Sequence, residues 1–167
     1  MKKTFILALS LLLISCLLCG CFPQIMFIPD KESIGESKKF EKVGLTITLT
    51  DKFKEEQSQR GFDAYYTSSF CGVVVLKEEF TLKEGMAEES LEEYITSVIK
   101  NNGNENITPQ TKDGLWFYEK TSDYRYVRSY SYKGSDAFYI VQFICNLPDV
   151  NMLEDTFHLW AASVTVE

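Results

Sequence analysis

Residues 115–146 read LWFYEKTSDYRYVRSYSYKGSDAFYIVQFICN. Three runs rich in aromatic and β-branched residues, Leu115–Thr121, Tyr124–Lys133 and Asp136–Asn146, are broken only at Ser122–Asp123 and Gly134–Ser135. Such composition favours strands, and Ser-Asp and Gly-Ser are turn chemistry. Links that short leave no room for a crossover, so the runs must fold back on one another as an antiparallel meander.

Outward from this meander, strand signals continue toward the N-terminus. In Gly44–Leu49 (GLTITL) Leu45, Ile47 and Leu49 alternate with threonines, which predicts a strand with one buried face. FDAYYTSSF and CGVVVLKEEF follow, with a break near Gly72. Two helices interrupt the strands. In SLEEYITSVIKNNG, Ser90 and Glu93 have capping-box spacing; Leu91, Tyr94, Ile95, Val98 and Ile99 form one apolar stripe, and Asn102–Gly103 supply a stop. After Pro148, the residues Leu153, Phe157, Trp160, Ala161 and Val164 recur at helical spacing, with Asp149 or Asn151 as cap; SVTVE is then a final short strand. The expected order is β-β-β-α-β-β-β-α-(β), an α+β domain with helices packed on an antiparallel sheet.

The first 30 residues differ in kind. Lys2 and Lys3 precede TFILALSLLLISCLLCG, and no charge follows until Asp30. A basic start followed by an apolar run is the pattern of an export signal. Leu18, Cys19 and Gly20 before Cys21 resemble the lipobox of bacterial lipoproteins. That resemblance covers the first 21 residues and implies a diacylglyceryl group on the Cys21 thiol, with palmitate among its acyl chains. Cleavage then leaves Cys21 as the first residue. Leu13-Ile14-Ser15-Cys16 is also an acceptable lipobox, so Cys16 is the alternative site. A third reading keeps Thr4–Ile28 as an uncleaved anchor, against which Gly20 and Pro23 argue. All three place the rest of the chain outside the cytoplasm. The expected division is 1–20 signal peptide, 21–39 lipidated cysteine and polar tether (DKESIGESKK), and 40–167 folded domain. A domain of that length buries roughly two-thirds of its unfolded surface and folds without metals or disulfides.

Near the membrane, Cys16, Cys19 and Cys21 make a poor metal site, because no Cys or His cluster downstream completes a cage. The chain has net charge −7, and loss of Lys2 and Lys3 leaves the exported protein more negative still. Such acidity disfavours nucleic acid as a partner and gives no attraction to anionic lipid.

Four phrases carry a family resemblance. GLTITLTDKF resembles the opening of PsbP-like domains, with Thr50 where that family often has proline. SLEEYITSVIKNN, FYIVQFIC and FHLWAASVTV resemble the helix, central strand and closing helix of the same superfamily. The resemblance spans residues 40–167 and implies an α/β/α sandwich. It implies no activity, since fold alone does not transmit function.

Chemistry-bearing residues are sparse. No nucleophile-elbow, zincin, P-loop or dinucleotide motif occurs, and no cofactor is expected. His158 is the only histidine; it adjoins Glu154 and Asp155 and is expected to face solvent. Cys71 and Cys145 sit in apolar strand runs, either as small hydrophobes or as a disulfide. With period two, Tyr126, Arg128 and Tyr130 share a face with Tyr124 and Tyr132. They form either a recognition face for a ligand or partner, which requires exposed rings, or an aromatic ladder beneath a helix. The expected function is a lipid-anchored, non-enzymatic binding or accessory module for an envelope protein or glycan. The alternatives are a cell-surface enzyme, a subunit of one, or a small-ligand carrier.

Overall fold

The computed structural model describes residues 35–57 and 61–167. Cys16 and Cys21, the two candidate lipidation sites, lie outside those residues. No helix among the described residues is long and apolar enough to cross a membrane.

The meander forms as its turns dictate: β7 (Leu115–Thr121), β8 (Arg125–Lys133) and β9 (Ala137–Asn146) pair antiparallel in sequence order. Strand β9 also pairs β5 (Cys71–Glu79), which pairs β4 (Ala64–Thr67). Two short edge strands, β3 (Lys54–Glu55) and β6 (Gln110–Lys112), complete a seven-stranded antiparallel sheet of order β3-β4-β5-β9-β8-β7-β6. A second, three-stranded sheet orders β1 (Ser37–Lys42), β2 (Leu45–Thr50) and β10 (Thr165–Val166) as β1-β2-β10. Strand β1 starts at Ser37, so it takes in the last residues expected as tether. The break expected near Gly72 falls earlier, because Gly72 lies within β5 and pairs with Ile144.

Helix α1 (Leu91–Asn101) begins at the predicted capping box, with Glu93 N–H donating to Ser90 Oγ at 3.2 Å and Ser90 N–H donating to Glu93 Oε2 at 2.8 Å. Its Tyr94, Ile95, Val98 and Ile99 pack on Tyr118, Phe138 and Ile140 of the large sheet. Helix α2 (Val150–Ala162) has Asp149 at its cap position, but that carboxylate accepts from Asn146 instead of capping. Leu153, Phe157, Trp160 and Ala161 press on the opposite sheet face, where Leu45, Ile47 and Leu49 join them. The large sheet is therefore the middle layer. Helix α1 lies on one face; α2 and the small sheet lie on the other.

Candidate functional site

The two faces of β8 differ sharply. Tyr126, Arg128, Tyr130 and Tyr132 point toward α2 and are all buried, Arg128 at 4 % exposure and Tyr130 at 0 %. The recognition-face reading of Tyr126, Arg128 and Tyr130 is thus corrected: alternation put them on one face, and α2 covers that face. Only Tyr124, before the strand starts, stays open. Arg128 Nε donates to Glu119 Oε1 at 2.8 Å, while its Nη1 and Nη2 donate to Glu154 O at 3.1 Å and Glu154 Oε1 at 2.6 Å. The guanidinium also lies over the rings of Phe117 and Tyr126. Burial works against this charge, but the hydrogen bonds Arg128 donates to Glu154 and Glu119 outweigh it and hold the arginine above its ordinary range.

His158 is likewise corrected. Its ring is buried, 3.2 Å from Tyr130 Oη at Nδ1 and 3.0 Å from Asp113 Oδ2 at Nε2. The two contacts are mutually compatible, since a ring that accepts from Tyr130 at Nδ1 donates Nε2–H to Asp113. Asp113 reaches this point because Asp113 and Gly114 both take positive φ, 50° and 79°, in the two-residue turn between β6 and β7. Asp-Gly between β-prone runs is a hairpin signal that was legible in the sequence. Burial raises the Tyr130 hydroxyl against the opposing pull of Arg128. Both ring nitrogens of His158 are engaged, and the ring opens onto neither surface depression described below. The Tyr-His-Asp chain docks α2 onto β8.

The opposite face holds the concave feature. Helix α1 covers only a portion of it and leaves a groove of about 580 Å³ beside it. The floor carries Leu76 of β5, Ile140 and Gln142 of β9, Val127 and Ser129 of β8, and Tyr118 and Lys120 of β7; the wall carries Tyr94, Ser97, Val98 and Asn101 of α1. Tyr118, Ser129 and Gln142 are direct cross-strand neighbours, so three polar groups form a row across the floor. Ser129 Oγ is buried and has no hydrogen-bond partner. At the rim Tyr94 Oη donates to Glu78 Oε2 at 3.0 Å, and burial, then the Glu78 charge, pushes that phenol well above its ordinary range. Sequence reading missed this site because its residues come from five elements, each of which reads as an ordinary core or surface position. Among the described residues, no group of three or more His, Cys, Asp or Glu is arranged to hold a metal ion.

With this geometry in place, comparison with solved structures is informative. Cyanobacterial PsbP (CyanoP) of Synechocystis sp. PCC 6803, solved in solution, superposes with a TM-score of 0.50 at 11 % identity, covering 83 % of this chain and 96 % of that one. The fold is PsbP-like. Mixed α+β layers, antiparallel sheets and two packed helices are what the phrase resemblance implied. No family model matches the chain, and no curated protein matches it in sequence.

Proposed function

We propose that this chain is a bacterial lipoprotein held to the extracytoplasmic face of the cell membrane through Cys21, whose PsbP-like domain is a non-enzymatic binding or accessory module. The groove beside α1 is the binding site. The observation that carries this reading is the groove itself, about 580 Å³, where the cross-strand row Tyr118, Ser129 and Gln142 runs through a floor that also carries Leu76, Val127 and Ile140. A floor that mixes apolar strand residues with a row of polar groups suits a peptide segment of an envelope protein or a glycan. The leader sequence supports the address, and the acidic charge makes nucleic acid a poor partner.

The volume of the groove also favours a second reading, a small-ligand carrier, because cavities of several hundred Å³ hold such ligands. One experiment separates the two. A photocrosslinking amino acid replaces Asn101 on the groove wall or, as control, Leu159 on the exposed side of α2, and intact cells are irradiated. The expected result is an envelope protein or glycan captured from position 101 and not from 159, and lost when Cys21→Ser releases the protein from the membrane. Equal capture at both positions, or none at 101 with wild-type anchoring, overturns the module reading. A captured small molecule selects the carrier.

A further inference from the structure

At the far end of the large sheet, where β5 begins and β9 ends, two cysteines face each other. Cys71 and Cys145 are direct register partners there, and both are buried free thiols. Directly opposed residues of an antiparallel pair project to the same face, so the two sulfurs share one environment in the core.

The backbone hydrogen bonds fix which kind of pair this is. Ser68 N–H donates to Cys71 O, which turns the polar groups of Cys71 toward β4 and away from β9. Leu147 N–H donates to Tyr124 O, so Leu147, and with it Cys145 at the same parity, turns its polar groups toward β8. Asp63 N–H donating to Val75 O gives β5 the same phase. Cys71 and Cys145 are therefore a non-hydrogen-bonded pair. Such pairs bring α-carbons to about 4.5 Å, inside the range of about 4.4–6.8 Å that a disulfide spans. The alternative, a hydrogen-bonded pair, holds side chains farther apart.

From this geometry we propose that Cys71 and Cys145 form a cross-strand disulfide when the chain folds against an oxidising thiol–disulfide pool. One thiolate attacks a sulfur of the oxidant disulfide and releases one small thiol. The second thiolate then attacks the resulting mixed disulfide, releasing the other small thiol and joining Cys71 to Cys145. Two electrons and two protons pass from the cysteine pair to the oxidant, which leaves as two thiols. A depression of about 240 Å³ lined by both cysteines, Ser68 and Arg125 lies at this end of the sheet. In the folded state burial pushes the Cys145 thiol up to about 12 and the Cys71 thiol higher still, so little thiolate exists near neutral pH. Pairing accordingly belongs to the folding step.

The test is made on the full chain, reduced and unfolded in urea with detergent, then refolded in a mixture of reduced and oxidised glutathione. Remaining thiols are trapped with iodoacetamide, and tryptic peptides are weighed without reductant. The expected product is peptide 61–77 joined to peptide 134–167, lighter than their sum by two hydrogens and parted by reductant. Both peptides recovered singly, carrying iodoacetamide or glutathione, overturn the proposal, and so does linkage of either one to a leader cysteine. The same map on protein extracted from cells directly into iodoacetamide repeats the reading without refolding. The refolding arm contains no membrane and no partner, so its failure leaves the anchored-module reading standing, and loss of that reading leaves the pairing intact.

Discussion

Arg128 is a positive charge held almost entirely out of water, and its surroundings set what its removal costs. Its two carboxylate partners sit nearer the surface, Glu119 at 31 % and Glu154 at 50 % side-chain exposure. Truncating the arginine therefore leaves carboxylates that water can still reach, together with a void beside Phe117 and Tyr126. Breaking a fully buried pair costs about 3–5 kcal/mol, so Arg128→Ala is expected to cost about 2–3 kcal/mol in urea unfolding. A loss below about 1 kcal/mol would show that the carboxylates repel little and that the stem packs loosely. Glu154→Gln should cost much less, because that residue is half in solvent and screened. Partners brought from elsewhere in the chain also explain His158. A position adjoining two acids on a helix reads as a solvent position, yet the Asp113–Gly114 turn folds over the ring and supplies its partner.

At the scale of the element, α1 shows what local sequence controls. The Glu93 carboxylate is held below its ordinary range by the Ser90 backbone N–H first, and by the Ser90 hydroxyl second. A lowered carboxylate contributes stability when ionised. That contribution is complete above the unfolded-state value and is lost as pH falls through the lower folded-state value. Helix content measured by circular dichroism should therefore fall on acidification more steeply in the wild type than in Glu93→Gln, which has no proton to take up at that position. Ser90→Ala removes the reciprocal bond and is expected to cost about 1 kcal/mol. If both variants melt like the wild type, α1 is held by the packing of Tyr94, Ile95 and Ile99 alone. The short strands obey a different rule. All three residues of β6 and both of β3 are exposed, so neither carries an apolar alternation that a sequence reading detects. They exist because β7 and β4 offer them unpaired edges.

Taken as a whole molecule, the protein joins its two sheets through its last five residues. Ser163 Oγ accepts from Thr48 N–H at 3.0 Å and donates to Trp160 O at 2.6 Å; Glu167 N–H donates to Gly44 O, and Ser135 N–H donates to Glu167 O. Strand β10 thereby ties β2 to the turn between β8 and β9. Deleting residues 163–167 removes several hydrogen bonds worth about 1 kcal/mol each and exposes the edge of β2, for an expected loss of about 3–4 kcal/mol in urea unfolding. An unchanged unfolding midpoint would mean that the apolar face of β2 alone holds the small sheet in place. The meander, both helices, the capping box and the alternation of β2 were legible in the sequence, because turn chemistry and the periods of two and 3.6 act between neighbours in the chain. The apolar run after Lys2 and Lys3, with the cysteines in and beside it, is legible on the same ground, as a local hydropathy pattern. Alternation also put Tyr126, Arg128 and Tyr130 on one face and left Ser129 on the other, but it is silent on what covers each face. That α2 seals the first and α1 leaves a groove on the second depends on the layering of segments far apart in the chain. The opposition of Cys71 and Cys145 depends likewise on strand order and register, set by long-range burial. Local periodicity determined the elements of this protein; the contest of distant surfaces for the same sheet decided which of them became core, which became groove, and which thiols meet.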